Sequence, residues 1–198
     1  MNQSERKRAA IVDAAINEFR EKGFQATSMD ALSARAGVSK RTVYNHFANK
    51  EALFQEIIQQ LFSYSAELTD YTYHPERPLD EQLSAIARQK LELMKTPRFR
   101  DLVKVLMAEC IHSPELTSMA MEQLSQQEQG LDSWISAAIA DNKLKGVEPH
   151  YAADQFMALI KSSAFWPQVL MGMPFPDDER CRQIITDSVQ MFLSYYRI

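Results

Sequence analysis

The chain has 198 residues, 45% hydrophobic and 24% charged, enough for one generous core or for a small domain beside a larger one. Its five glycines argue against folds built on many tight turns. No apolar window is long enough to span a bilayer, and the polar N-terminus lacks the apolar stretch of a secretory signal, so a soluble, cytoplasmic protein is expected. The net charge of −4 is unevenly spread: residues 1–50 carry nine Lys/Arg against five Asp/Glu, and residues 51–198 thirteen against twenty-one. A basic end on an acidic chain suits a domain that meets a polyanion while the remainder faces away, although scattered solvated charge gives the same totals. Cys110 and Cys181 fall in apolar helical patterns and form no disulfide framework, which points to buried thiols.

From Ser4 to Lys22 the spacing predicts a helix, with Ile11 or Val12, Ala15, Ile16 and Phe19 forming an apolar stripe. Lys22-Gly23 closes it, and Phe24 is expected in the small core beyond. Arg6, Lys7 and Arg8 are candidates for phosphate contact as much as for solvated surface. Two short helical patterns then meet across a single glycine. Thr27 or Ser28 can cap the first, and Met29, Leu32 and Ala36 keep its apolar face. Gly37 stands where a helix end favours a left-handed residue, Val38 can plug the corner, and Ser39 can cap the second helix. That helix has Val43 and Phe47 on one side and Lys40, Arg41, Thr42, Tyr44, Asn45 and His46 around the rest. The pattern is that of a helix-turn-helix, whose second helix enters the DNA major groove. A small helical subdomain with an ordinary polar surface would not gather basic, hydroxyl, amide and aromatic groups on one side.

Asn49 looks like the cap of the next helix, which runs through Leu53, Phe54, Ile57, Ile58, Leu61 and Phe62 to about Leu68. Asp70 to Pro78 is rich in breakers and reads as a loop. Leu79 to Met94 is helical, with Leu83, Ile86, Ala87, Lys90 or Leu91, and Met94 on its stripe. Thr96-Pro97 and Ser113-Pro114 each place a cap before a proline at the first helical position. The first of these helices carries Phe99, Leu102, Val103, Leu106, Met107 and Cys110. The second follows a long pattern through Leu116, Met119, Met121, Leu124, Leu131, Trp134, Ile135 and Ile139 to Asn142, with Gly130 weakening its continuity. Pro149 opens another helix, which Pro167 kinks or ends. Met171 to Pro176 is irregular, and a last helix runs from about Asp177 to Tyr195, with Cys181, Ile184 or Ile185, Val189, Phe192, and Tyr195 or Tyr196. No segment alternates apolar and polar residues, so the expected fold is all-α with about nine helices.

The first quarter of the chain resembles the TetR/AcrR family of bacterial transcriptional regulators. The resemblance lies in Ile11-Val12-Asp13-Ala14-Ala15 with Phe19, in Gly23 to Ser28, in Leu32, and in Ala36-Gly37-Val38-Ser39. It continues through Thr42-Val43-Tyr44, His46-Phe47 and Asn49 to Phe54. It implies a helix-turn-helix domain over residues 1–50, a connecting helix over 51–69, and a helical effector-binding and dimerisation domain filling 51–198. It further implies a homodimer on a palindromic operator in double-stranded DNA, a small-molecule effector, and repression relieved by that effector. Lys40 and Arg41 would meet phosphate or guanine, Arg41 being the better base reader because its fork matches the two major-groove acceptors of guanine. Thr42 would touch a thymine methyl or a phosphate, Tyr44 and His46 phosphate, and Asn45 a base. Thr27 and Lys50 would clamp the backbone, with Ser28 and Ser39 at the two helix starts completing the set.

For the effector, Met94, Met107, Cys110, Trp134, Phe156, Phe165 and Trp166 are candidates in an adaptable, mainly apolar site, each against the plainer role of core packing. For the dimer interface the candidates are Phe156, Ile160, Ser163, Ala164, Ile185, Val189 and Phe192, with Ser162 nearby. No phosphate loop, nucleophile elbow or His-Glu-x-x-His motif occurs, and no cofactor or metal is expected. Glu109 and His112 stand at metal-ligand spacing without evident partners. A helical enzyme or metal-binding bundle, and an interaction protein that reuses the basic surface for docking, are the other classes in play.

Overall fold

The computed structural model describes residues 2–67, 69–114, 117, 118, 120 and 129–198. Among these residues the chain is all-α, with ten helices and no strand beyond an isolated antiparallel bridge between Leu144 and Arg197. In order the helices are α1 (Gln3–Lys22), α2 (Met29–Ala36), α3 (Lys40–His46), α4 (Lys50–Glu67), α5 (Leu79–Lys95), α6 (Pro97–His112), α7 (Gln129–Ala140), α8 (Pro149–Ala164), α9 (Trp166–Leu170) and α10 (Asp178–Tyr196). No described helix is long and apolar enough to cross a membrane. Leu116, Met119, Met121 and Leu124 lie outside the described residues.

Two compact units divide the chain. The first comprises Met1–Ser63 and Arg98–Ser125, so that α6 belongs with the N-terminal helices, a division that differs from the expected boundary near residue 50. Long-range polar contacts explain the grouping: Arg20 meets Asp101 at 2.7 Å, and Arg98 meets Asp13. The core of this unit joins Ile11, Val12, Ala15 and Phe19 of α1 to Leu32, Val43, Phe47, Leu53, Phe54 and Ile57, with Leu102 and Val103 of α6. Phe24 sits among them, its ring 5.1 Å from Phe19 and 5.6 Å from Phe54 between centroids. Burial of such side chains, each contributing roughly 1.5–3 kcal/mol, is what holds helices as short as α2 and α3.

The second unit comprises Tyr64–Pro97 and Gln126–Ile198. Its core is built from Leu83, Ile86, Ala87 and Leu91 of α5, Trp134, Ile135 and Ala138 of α7, Phe156 and Ile160 of α8, and Ile184, Val189 and Phe192 of α10. Of the two tyrosines that end α10, Tyr196 is inside and Tyr195 outside. Among the described residues there are ten helices rather than nine because the 149–170 pattern breaks at Phe165. Pro167 has no N–H for the ladder, and its ring would collide with the carbonyl four residues back, so α8 stops and a short α9 begins with the proline in its first turn. Both cysteines are free and half-buried rather than fully enclosed, and desolvation raises the pKa of the Cys181 thiol.

Candidate nucleic-acid interface

The corner between α2 and α3 is built as its residues dictate. Ser28 caps α2, its side chain accepting the Ala31 N–H at 3.1 Å, which settles the choice between Thr27 and Ser28. Gly37 takes a left-handed φ of 65°, a conformation that a Cβ would strain, and its N–H returns to α2. Ser39 caps α3 through the Thr42 N–H and also bonds the Thr42 hydroxyl at 2.8 Å. Val43 and Phe47 are buried, which fixes the rotation of α3 about its axis. Consequently Ser39, Lys40, Arg41, Tyr44 and Asn45 stand exposed on the opposite side, with Thr42 and His46 half-exposed. Arg41 has no ion pair among the described residues, whereas Lys40 is held by Asp30 of α2 at 2.6 Å, a bond that raises the lysine's pKa.

Several basic and hydroxyl groups read from the sequence as phosphate contacts are bonded within the protein. Thr27 is 2% exposed and its hydroxyl donates to the Gly23 carbonyl at 2.8 Å, closing the turn before α2. Its side chain is therefore neither the helix cap nor a surface group. Lys50 donates to the carbonyls of Phe24 and Gln25 at 2.8 and 3.2 Å, so its ammonium serves the protein's own main chain. Arg8 forms a two-bond pair with Glu56 of α4, both contacts 2.7 Å, and lies over the Phe47 ring. Glu18 is a buried anion paired with Lys22 and Arg35, each at 2.8 Å. The pairing of Asp30 with Lys40 depends on the angle between α2 and α3.

Residues 11–57 match the model of bacterial regulatory proteins of the tetR family, and residues 81–198 match the C-terminal domain of AefR-like transcriptional repressors. The chain belongs to the TetR family. Its relatives include the HTH-type transcriptional regulator YhgD of Bacillus subtilis, 30% identical over 71% of each chain. Among solved structures, a TetR-family regulator from Pseudomonas syringae pv. tomato is 40% identical with a TM-score of 0.88, covering 100% of this chain and 98% of that one. The flavonoid-responsive regulator FrrA is 29% identical with a TM-score of 0.79 and covers 98% of each. This TetR-family chain is thus one of a group of transcriptional regulators and not of enzymes.

The effector candidates fall in both units of this TetR-family regulator. Met107 and Cys110 are half-buried in the first, whereas Met94, Trp134, Phe156, Phe165 and Trp166 belong to the second. Trp134 is fully enclosed, its indole N–H donating to Gln82 at 3.1 Å and its ring edge-on to Tyr73. Phe165 and Trp166 stack edge to face at 4.8 Å between centroids. The dimer candidates need correction. Phe156, Ile160, Ala164, Ile185, Val189 and Phe192 are buried within a single chain, and only Ser163 is partly open. Periodicity marks which side of a helix is apolar but not what covers it, and a side chain already out of water adds no area to a second contact. The apolar groups left outside on the same helices are Tyr151 of α8 and Met191 and Tyr195 of α10, the last two 60% and 67% exposed. Glu109, paired with His112 in the sequence reading, instead accepts the Phe24 N–H at 2.8 Å; the His112 side chain lies outside the described residues. His150 sits between Asp132 and Asp154, and no group of three or more potential metal ligands occurs among the described residues.

Proposed function

We propose that this protein is a ligand-responsive repressor that binds a palindromic operator as a cytoplasmic homodimer and is released by a small, mainly apolar effector. The observation that carries the reading is the division of α3: Val43 and Phe47 are inside, while Arg41, Tyr44 and Asn45 are outside and together. Arg41, exposed and without an ion pair among the described residues, is the guanine reader, and Asn45, four residues on, reads an adjacent base. Tyr44, Thr42 and His46 set the helix against phosphate, and Ser39 directs its N-terminus. Thr27 and Lys50 act from behind this surface.

Repression is supported by the likeness of residues 81–198 to AefR-like repressors, and a small effector by the likeness to a flavonoid-responsive regulator. Met94, Trp134, Phe156 and Phe165, all buried in the second unit, are the side chains among which such a molecule would bind. A homodimer would use the outward faces of α8 and α10, where Tyr151, Met191 and Tyr195 are exposed and where Ala158 and Ser162 are small and exposed. Two readers set about 34–36 Å apart would engage successive major grooves, and an effector acts by preferring a state in which that spacing is lost. Selection of genomic fragments by the purified protein tests the reading. An inverted repeat is expected, with affinity that falls steeply with salt; recovery of no preferred sequence would reject it.

A further inference from the structure

The turn from α1 to α2 is closed by its own bonds and gripped by two others. Gly23 N–H donates to the Phe19 carbonyl at 2.8 Å, and Thr27 N–H to the Phe24 carbonyl at 3.3 Å. Two charged side chains from outside α1, α2 and α3 converge on this turn. Buried Glu109 of α6, 85 positions away, accepts the Phe24 N–H at 2.8 Å. Lys50, at the start of α4, donates to the Phe24 and Gln25 carbonyls, and its ammonium lies 4.7 Å from the centroid of the Phe24 ring. One residue is therefore held at its N–H by an anion and at its carbonyl by a cation, with its ring packed against Phe19 and Phe54. Apolar contact would keep α4 and α6 close to the reader without fixing a direction, whereas charge-assisted hydrogen bonds fix single main-chain atoms.

We infer that Glu109 and Lys50 are positioning residues for DNA reading. They fix the Phe24 peptide, and with it the direction in which the chain enters α2 at Ser28. The corner at Gly37 carries that direction into α3, which presents Arg41 and Asn45. The assignment rests on the reading of α3 as the base-contacting helix. It also replaces the phosphate-clamp role expected of Lys50, because the two roles have different signatures. Loss of a clamp weakens binding to every duplex alike, whereas loss of positioning removes the preference for the right sequence.

The test compares wild type, Glu109→Gln, Glu109→Ala and Lys50→Met at equal folded fraction on the selected palindrome and on a scrambled duplex of the same length. Glu109→Ala and Lys50→Met are expected to lower palindrome affinity about tenfold while scrambled-duplex affinity stays within about twofold. Glu109→Gln keeps an oxygen that can accept the Phe24 N–H and is expected within about threefold of wild type on both. Exchange of the Phe24 amide should quicken in Glu109→Ala and not in Glu109→Gln. A merely structural role lowers the folded fraction and leaves the ratio of the two affinities unchanged. An unchanged ratio in Lys50→Met, or equal weakening on both duplexes, overturns the assignment for Lys50. An unchanged ratio in Glu109→Ala does so for Glu109. Should Glu109→Ala fail to fold, Glu109→Gln and Lys50→Met decide the matter: a selective loss of palindrome affinity in Glu109→Gln would overturn the role given to its acceptor oxygen. Failure of wild type itself to prefer the palindrome rejects the DNA reading instead.

Discussion

Replacing Gln82 with leucine should loosen the second unit by about 2–4 kcal/mol, through the loss of four hydrogen bonds made by one side chain. The Gln82 oxygen accepts the His74 N–H at 3.0 Å and the Trp134 indole N–H at 3.1 Å, and its amide nitrogen donates to the His74 and Arg77 carbonyls, both at 2.9 Å. Two acceptor sites and two donors are the whole capacity of the group. Leucine fills nearly the same volume and satisfies none of these partners. Arg77 is exposed and His74 half-exposed, so water can serve the loop groups, and with the burial of the leucine side chain offsetting part of the loss these three bonds together add only about 1 kcal/mol. The indole N–H of Trp134 is sealed from solvent and bears most of the orphan penalty of about 1–3 kcal/mol. At about 2–4 °C per kcal/mol for a chain of this size, the melting temperature should fall by roughly 4–16 °C. Thermal melts of wild type and Gln82→Leu, at one fixed protein concentration, measure the fall, and hydrogen exchange follows the 70–78 loop. A loss below about 1 kcal/mol, or an undisturbed His74 amide, would show that the side chain does not hold the loop.

The other expectations concern the reader and the dimer. Arg41→Ala should cost about 1–3 kcal/mol per half-site and relax preference at one base position, as measured by repeating fragment selection with the variant; an identical selected sequence sinks the role given to Arg41. Ser39→Ala removes the cap of a seven-residue helix and should cost about 0.5–2 kcal/mol, seen as faster amide exchange across α3 in free protein. Met191→Glu combined with Tyr195→Glu places charge on the outward face of α10 and should give a monomer by sedimentation that keeps its fold but not its preference for the full palindrome. Titration should reveal the Arg8–Glu56 pair. The Arg8 hydrogen bonds hold the Glu56 carboxyl below its usual pKa, so the pair stabilises the fold above the ordinary carboxylate range and ceases to do so as the pH falls through the lowered value. Arg8→Met should then be less stable than wild type by up to about 1 kcal/mol at neutral pH, discounted for the partly exposed arginine, with the difference vanishing in acid; a difference that persists in acid would place the effect in packing against Phe47.

Local chemistry carried much of the outline. The caps at Ser28, Ser39 and Asn49, the left-handed Gly37, and the inward Val43 and Phe47 all follow from neighbours within four residues, which is the range over which side chains satisfy helix ends and share a face. The break at Phe165 was half legible, since a proline at 167 announces an end without saying where the next turn begins. The inward turn of Thr27 and Lys50 was not legible, because the carbonyls that hold them belong to a bend whose path is set by α1, α4 and α6 together.

The sequence by itself determined an all-α chain with a capped helix pair near its start and a side of α3 rich in groups that suit DNA, because period, caps and turn residues act locally. Only the tertiary structure decided that Glu109 bonds Phe24 across 85 positions, that Gln82 ties a loop to Trp134, and that the apolar stripes of α8 and α10 are already covered within one chain. The physical reason is that a hydrogen bond or a buried face is defined by its partner, and these partners are brought together by packing rather than by proximity along the chain.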